Sequence, residues 1–221
     1  MRRRVQRGTA ITVVVLSMVA FVCAIADDSP VQEIEIDEYQ GERLGSVEDF
    51  PENSILGVQH VAAATYALRI DGIVSQTASL TLQELQAFSR EEKLVTLNCV
   101  EGWSVKALWE GIPLAELLET VQPSPEANTV IFHAADGYTS SLPLEFILER
   151  NLIIADRING ITLPASRGFP FQLIAEEKFG YKWVRWLTRI ELSDDPNYRG
   201  FWERRGFNND AALDGPILDD G

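Results

Sequence analysis

The chain is poor in sulfur and in imidazole: its 221 residues hold two cysteines, two histidines and two methionines. Cys23 falls in an apolar amino-terminal run, so Cys99 stands alone in the remainder and has no intramolecular disulfide partner there. His60 and His133 lie far apart and belong to no ligand set of workable spacing, which argues against a zinc centre. No GxGxxG, P-loop or GxSxG occurs, and no fixed-period repeat. Positive charge is also scarce, with 19 Lys and Arg against 33 Asp and Glu and a formal net charge of −14. Such a balance speaks against nucleic acid or an anionic membrane as partner, because both need a basic footprint.

What basic charge there is begins at the amino terminus. Arg2, Arg3, Arg4 and Arg7 precede the apolar run Thr9 to Ala26, and Ala24-Ile25-Ala26 places small residues where a signal peptidase would cut. Residues 1–26 are therefore expected to be a signal peptide or an uncleaved anchor, with the rest periplasmic or otherwise extracytoplasmic. Bulky Phe21 and Val22 ahead of Cys23 weigh against lipidation. Residues 27–54 read as an acidic lead-in, 55–207 as one domain, and 208–221 as a loosely held acidic tail. An exported chain that keeps a single thiol exposes it to oxidation, which favours a thiol capped by a ligand.

Patterning within the domain predicts a mixed α+β fold. Tyr66, Leu68 and Ile70 alternate up to Asp71-Gly72, a strand ending at a turn. Thr81-Leu82-Gln83-Glu84 has capping-box spacing and predicts a helix to about Phe88, followed by a strand over Leu94 to Cys99. Pro113 and Pro143 each open a short helix, and Thr129 to Ala134 is a strand. Asn159-Gly160 joins Leu152–Ala155 to Ile161–Leu163 as a hairpin, since both central turn residues tolerate positive φ. Phe169–Ile174 and the alternating run from Trp186 to Leu192 complete the strands. Strands and short helices in irregular order point away from a doubly wound parallel sheet.

Cys99 sits where an apolar strand breaks into a glycine-aromatic turn, Asn98-Cys99-Val100-Glu101-Gly102-Trp103-Ser104. That placement makes it a candidate soft metal ligand, with a buried structural thiol as the alternative. Arg157, Arg167, Lys178, Lys182, Arg185 and Arg189 gather late in the chain, and Lys182 and Arg185 flank Trp183 beside Gly180 and Tyr181. Such a loop holds a phosphate by charge-assisted hydrogen bonds, or else is a basic strand edge paired with nearby glutamates. Asp136-Gly137-Tyr138-Thr139 offers a phenol suited to a pocket wall.

Taken together, the segment around Cys99, Trp109-Glu110-Gly111-Ile112-Pro113-Leu114, Asp136-Gly137-Tyr138-Thr139, Asn159-Gly160, Arg167-Gly168-Phe169-Pro170 and Phe179 to Trp186 resemble the sulfite oxidase family of molybdopterin oxidoreductases in order and spacing. The likeness runs from about Ile55 to Phe207 and is closest to the short single-domain prokaryotic type. It implies the family's mixed-sheet cofactor domain and a molybdenum-molybdopterin cofactor with Cys99 as the metal ligand. Cys99 and Tyr138 are the expected catalytic residues, and His60, Asn98, Arg167, Lys182 and Arg185 the expected cofactor contacts. Three positions depart from relatives: Asn98 replaces a frequent arginine, Gln172 an expected arginine, and Ala134 the pterin-contacting threonine of periplasmic methionine-sulfoxide reductases.

The implied activity is two-electron oxygen-atom transfer on a small oxyanion or S-oxide. Electrons would come from or go to a separate partner such as a cytochrome or membrane haem subunit, and the chain is expected to be a monomer. The alternatives are a cofactor-free binding or scaffold protein that kept the fold, and a thiol-based redox protein, which would lack a resolving cysteine.

Overall fold

Twelve strands, several of them set by alternating or continuous apolar residues, lie among residues 33–219, the part of the chain that the computed structural model describes. The expected signal segment, residues 1–26, lies outside the described residues. The strands are β1 (Glu38–Tyr39), β2 (Glu42–Arg43), β3 (Ala67–Gly72), β4 (Ala78–Thr81), β5 (Glu91–Asn98) and β6 (Ser104–Pro113). They continue as β7 (Thr129–Ala134), β8 (Thr139–Pro143), β9 (Ile153–Ile158), β10 (Ile161–Thr162), β11 (Gln172–Ile174) and β12 (Leu187–Ser193). Three short helices intervene: α1 (Leu82–Leu85), α2 (Leu114–Glu119) and α3 (Leu144–Glu149).

The strands form two five-stranded sheets and one small hairpin. One sheet runs β10-β9-β6-β5, with β11 also on β9, and the other runs β4-β3-β12-β7-β8. All pairings are antiparallel except β12 on β3. This is the expected α+β class, and its core draws on both sheets, with Trp109, Phe132, Phe171, Ile154 and Ile190 fully buried.

Local signals are realised closely. Thr81 caps α1 through its hydroxyl while Glu84 reaches back to the Thr81 amide, although α1 stops at Leu85 and not at Phe88. Pro113 and Pro143 stand at the amino-terminal caps of α2 and α3. Asn159 and Gly160 both take positive φ between β9 and β10, and the buried Asn159 side chain also bonds Leu108, Gly45 and Glu35. Phe169–Ile174 is a strand only over Gln172–Ile174.

From residue 33 onward the acidic lead-in packs on the domain: Leu44, Val47 and Phe50 are buried, and Glu35 accepts hydrogen bonds from Asn159 and Val47. The stretch after Phe207 is held through Asp210 on Lys178, Asp219 on Arg199 and a bridge between Phe207 and Leu218. Acidic composition disguised both segments, since their carboxylates serve as counter-ions for cations elsewhere in the fold. The sequence also concealed β6, a ten-residue strand that carries the glycine-aromatic motif between β5 and β9. No helix among the described residues is long and apolar enough to cross a membrane.

Candidate active site

Cys99 lies in the turn that joins β5 to β6. Its amide donates to the Trp103 carbonyl and its carbonyl accepts from the Gly102 amide, a tight turn that needs the left-handed φ of Gly102. The half-buried thiol therefore opens onto a cleft of about 190 Å³ lined also by Trp103, Tyr138, Arg167, Arg185 and Phe207. Gly180 brings a second loop against this turn, because a Cβ there would press on Leu97 at 3.1 Å.

Burial and the carboxylate of Glu101 push the Cys99 thiol up, so as a free side chain it is held protonated. Glu101 Oε2 is 3.6 Å from Sγ and accepts from Trp103 Nε1 at 3.1 Å. The Asn53 amide also approaches Sγ at 3.8 Å. A metal cation would reverse this balance and bind the sulfur as thiolate. Among the described residues no group of three His, Cys, Asp or Glu side chains converges as a metal cage, so any metal at Cys99 must draw its other ligands from a cofactor.

Two arginines also line the cleft, and Arg185 donates to Asn53 Oδ1 at 3.3 Å. Arg167 is only 5% exposed, its Nε has no hydrogen-bond partner, and burial with the nearby charge of Arg185 brings its pKa down to about 10. Arg185 donates to Glu52 at 2.9 Å and to the Ser166 carbonyl at 3.1 Å, while Arg167 reaches the same Glu52 oxygen at 3.5 Å. Two buried or half-buried guanidinium groups thus share one carboxylate, and an unpartnered buried donor remains. That arrangement fits an anionic group such as a phosphate. With a soft thiol and an unpartnered guanidinium donor both lining it, the cleft has the donor set that a phosphate-bearing dithiolene cofactor requires.

The other sequence candidates divide by geometry. Tyr138 lines the cleft, but its hydroxyl donates to the Tyr181 carbonyl and burial pushes the phenol well above its usual value. It is committed to positioning two loops and is not poised as a base. Lys182 does not reach the cleft: it is fully buried, with Nζ 2.7 Å from Glu203 and further bonds to the Ser141 carbonyl and Asn209. His60 is exposed and Asn98 turns its amide back to the Thr96 carbonyl, and neither lines the cleft. Gln172 and Ala134 do line it, the first as a neutral substitute for a cation.

Residues missed by the sequence reading are Glu52, Asn53, Glu101, Trp186, Trp202 and Phe207. Glu52 and Asn53 were hidden in acidic composition. Trp186 carried a signal only in three dimensions, a positive φ of 49° that turns its ring to the cleft at the start of β12.

The model of the oxidoreductase molybdopterin-binding domain matches residues 55–202. An uncharacterized oxidoreductase, YuiH of Bacillus subtilis, is 32% identical over 142 residues, 64% of this chain and 71% of that protein. A putative protein-methionine-sulfoxide reductase subunit, YedZ1 of Azospira oryzae, is 34% identical over 72% of this chain and 62% of its own length. The protein-methionine-sulfoxide reductase catalytic subunit MsrP of Gluconobacter oxydans is 32% identical over 58% of this chain, which spans only 47% of that relative. Among solved structures, the sulfane dehydrogenase SoxCD of Paracoccus pantotrophus superposes with a TM-score of 0.62 at 22% identity, covering 68% of this chain and 42% of that one. The last is a likeness of fold.

Proposed function

Because the chain belongs to the oxidoreductases with a molybdopterin-binding domain, we propose that it reduces a neutral organic S-oxide at a molybdenum held by Cys99. In that reaction the S–O bond breaks, two electrons and two protons enter, sulfur leaves as the thioether and oxygen as water. When bound, the cofactor supplies the two-electron redox chemistry. Cys99 would hold the metal through Sγ, and Arg167 and Arg185 would take the phosphate end.

The observation that carries the choice of substrate is the charge around Cys99. The acidic group beside its sulfur is the Glu101 carboxylate, and both arginines that line the cleft already share Glu52. An oxyanion such as sulfite would meet the Glu101 carboxylate beside the sulfur, whereas an uncharged S-oxide meets indole and phenyl surface from Trp103, Trp202 and Phe207. The names of two relatives, both assigned to protein-methionine-sulfoxide reductases, support the same class. Electrons would arrive from a separate donor, such as a cytochrome or membrane haem subunit, and the arginine-led apolar amino terminus supports work outside the cytoplasm.

Protein from a host that makes the cofactor should carry about one molybdenum per chain by elemental analysis. It should reduce methionine sulfoxide with a reduced viologen dye as donor, and Cys99→Ser should lose both properties. Metal-free wild-type protein, or faster turnover of sulfite than of any S-oxide, would overturn the proposal.

A further inference from the structure

The family match ends at Trp202, yet the cleft does not. Trp202 and Phe207 both line it, and they sit in an aromatic run in which Phe201 meets Trp202 edge-on at 5.2 Å and Trp202 meets Phe207 at a tilt at 5.3 Å. Phe207 in turn meets Tyr181 at 5.2 Å, and Phe201 meets Tyr138 at 5.7 Å. The residues that follow the matched domain therefore supply part of its wall.

This wall is fixed from behind by a buried ion pair. Lys182 Nζ and Glu203 Oε1 are 2.7 Å apart and both side chains are fully buried. Ser140 Oγ donates to the same Glu203 oxygen at 2.5 Å, and Lys182 also donates to the Ser141 carbonyl and to Asn209. Gly200 allows the segment to lie directly on β8, because a Cβ there would overlap the Thr139 carbonyl, and the Phe201 amide donates to that carbonyl at 2.8 Å. The pair thus joins the segment after Trp202 to the loop that carries Tyr181, whose own hydroxyl donates to the Asn208 carbonyl at 2.7 Å. Well-packed apolar side chains would secure these loops as firmly as a buried ion pair, which must first overcome its desolvation. What charge adds is direction: the carboxylate must face the ammonium, and this sets how Trp202 and Phe207, on either side of Glu203, meet the cleft.

We propose that Trp202 and Phe207 form the specificity wall of the site, taking the alkyl group of the S-oxide, and that Lys182 and Glu203 are the positioning pair that sets this wall. The inference rests on the S-oxide reading above. Aromatic faces suit a sulfur-bearing alkyl chain, because ring edges and polarizable sulfur attract each other and the methyl groups leave water.

The test compares wild type with Phe207→Ala, which touches no charge, and with Glu203→Gln and the shorter Glu203→Asp. Each is prepared with its cofactor. Three quantities are read: molybdenum content, kcat and KM for methionine sulfoxide, and the Kd of unreactive methionine sulfone from tryptophan fluorescence. Phe207→Ala should raise KM and the sulfone Kd by about tenfold, in line with the loss of one buried ring, with kcat and molybdenum within about twofold of wild type. Glu203→Gln should move the same two quantities in the same direction, and Glu203→Asp should recover part of the loss. An unchanged KM and sulfone Kd in Phe207→Ala would overturn the wall. Should Glu203→Gln not fold, an unchanged sulfone Kd in Glu203→Asp would overturn the positioning role, as would loss of molybdenum from either Glu203 variant. A wild type that reduces no S-oxide but binds the sulfone, more weakly as Phe207→Ala, would fail the S-oxide reading and leave the wall standing.

Discussion

Glu52 lies between Arg167 and Arg185, and its single negative charge balances only one of them. Its carboxyl is partly buried, which opposes ionisation, yet hydrogen bonds from Ser54 and the charge of Arg185 hold it below the usual carboxylate range. At neutral pH it is therefore a carboxylate competing with any anion that approaches the two guanidinium groups. Removing that charge while keeping its shape should favour an external anion. In cofactor-free protein, Glu52→Gln is expected to bind inorganic phosphate about fivefold more tightly by calorimetry, the gain shrinking as salt rises. Equal affinity in the two proteins would mean that Glu52 does not face the anion site. Cys99 teaches a related lesson at the same scale. Its surroundings hold a free thiol protonated, so its fitness as a ligand comes from accessibility at a turn and not from a ready-made thiolate.

Gly111 shows how one motif residue serves an element. It sits where β6 shifts register against β9, and a Cβ there would overlap the Ile154 carbonyl. The glycine in Trp109-Glu110-Gly111 therefore permits the close approach of two central strands and has no part in chemistry. Gly111→Ala should lower the unfolding free energy by about 2 kcal/mol or more in denaturant titration, with a parallel loss of cofactor retention because β6 carries the turn of Cys99. A variant as stable as wild type would show that β6 and β9 can part without cost. The caps and the Asn159-Gly160 turn were legible beforehand because each depends on residues within four positions of one another. Strands β6 and β8 were not, since their alternation is masked by motif residues; β6 is placed by β9, forty or more residues on, while β8 pairs with the strand just before it.

At the scale of the molecule, the acidic ends close the fold. Asp210 and Asp219 pair with Lys178 and Arg199, so ending the chain at residue 207 would leave a nearly buried lysine without its carboxylate. That truncation should lower the Tm by more than about 4 °C in thermal unfolding. An unchanged Tm would restore the view of this stretch as a loose tail. The sequence by itself determined the mixed fold class, the order of the motifs and the turn that exposes Cys99. These follow from local backbone preferences and from residue types tied to one chemistry. Only the tertiary structure decided that Lys182 turns inward to Glu203, that Glu52 pairs with the two arginines of the cleft, and that Trp202 and Phe207 line it. A charged or aromatic side chain takes its role from the partner it meets, and those partners lie 21 residues away for Lys182 and 133 for Arg185, where only the packing of loops and sheets brings them together.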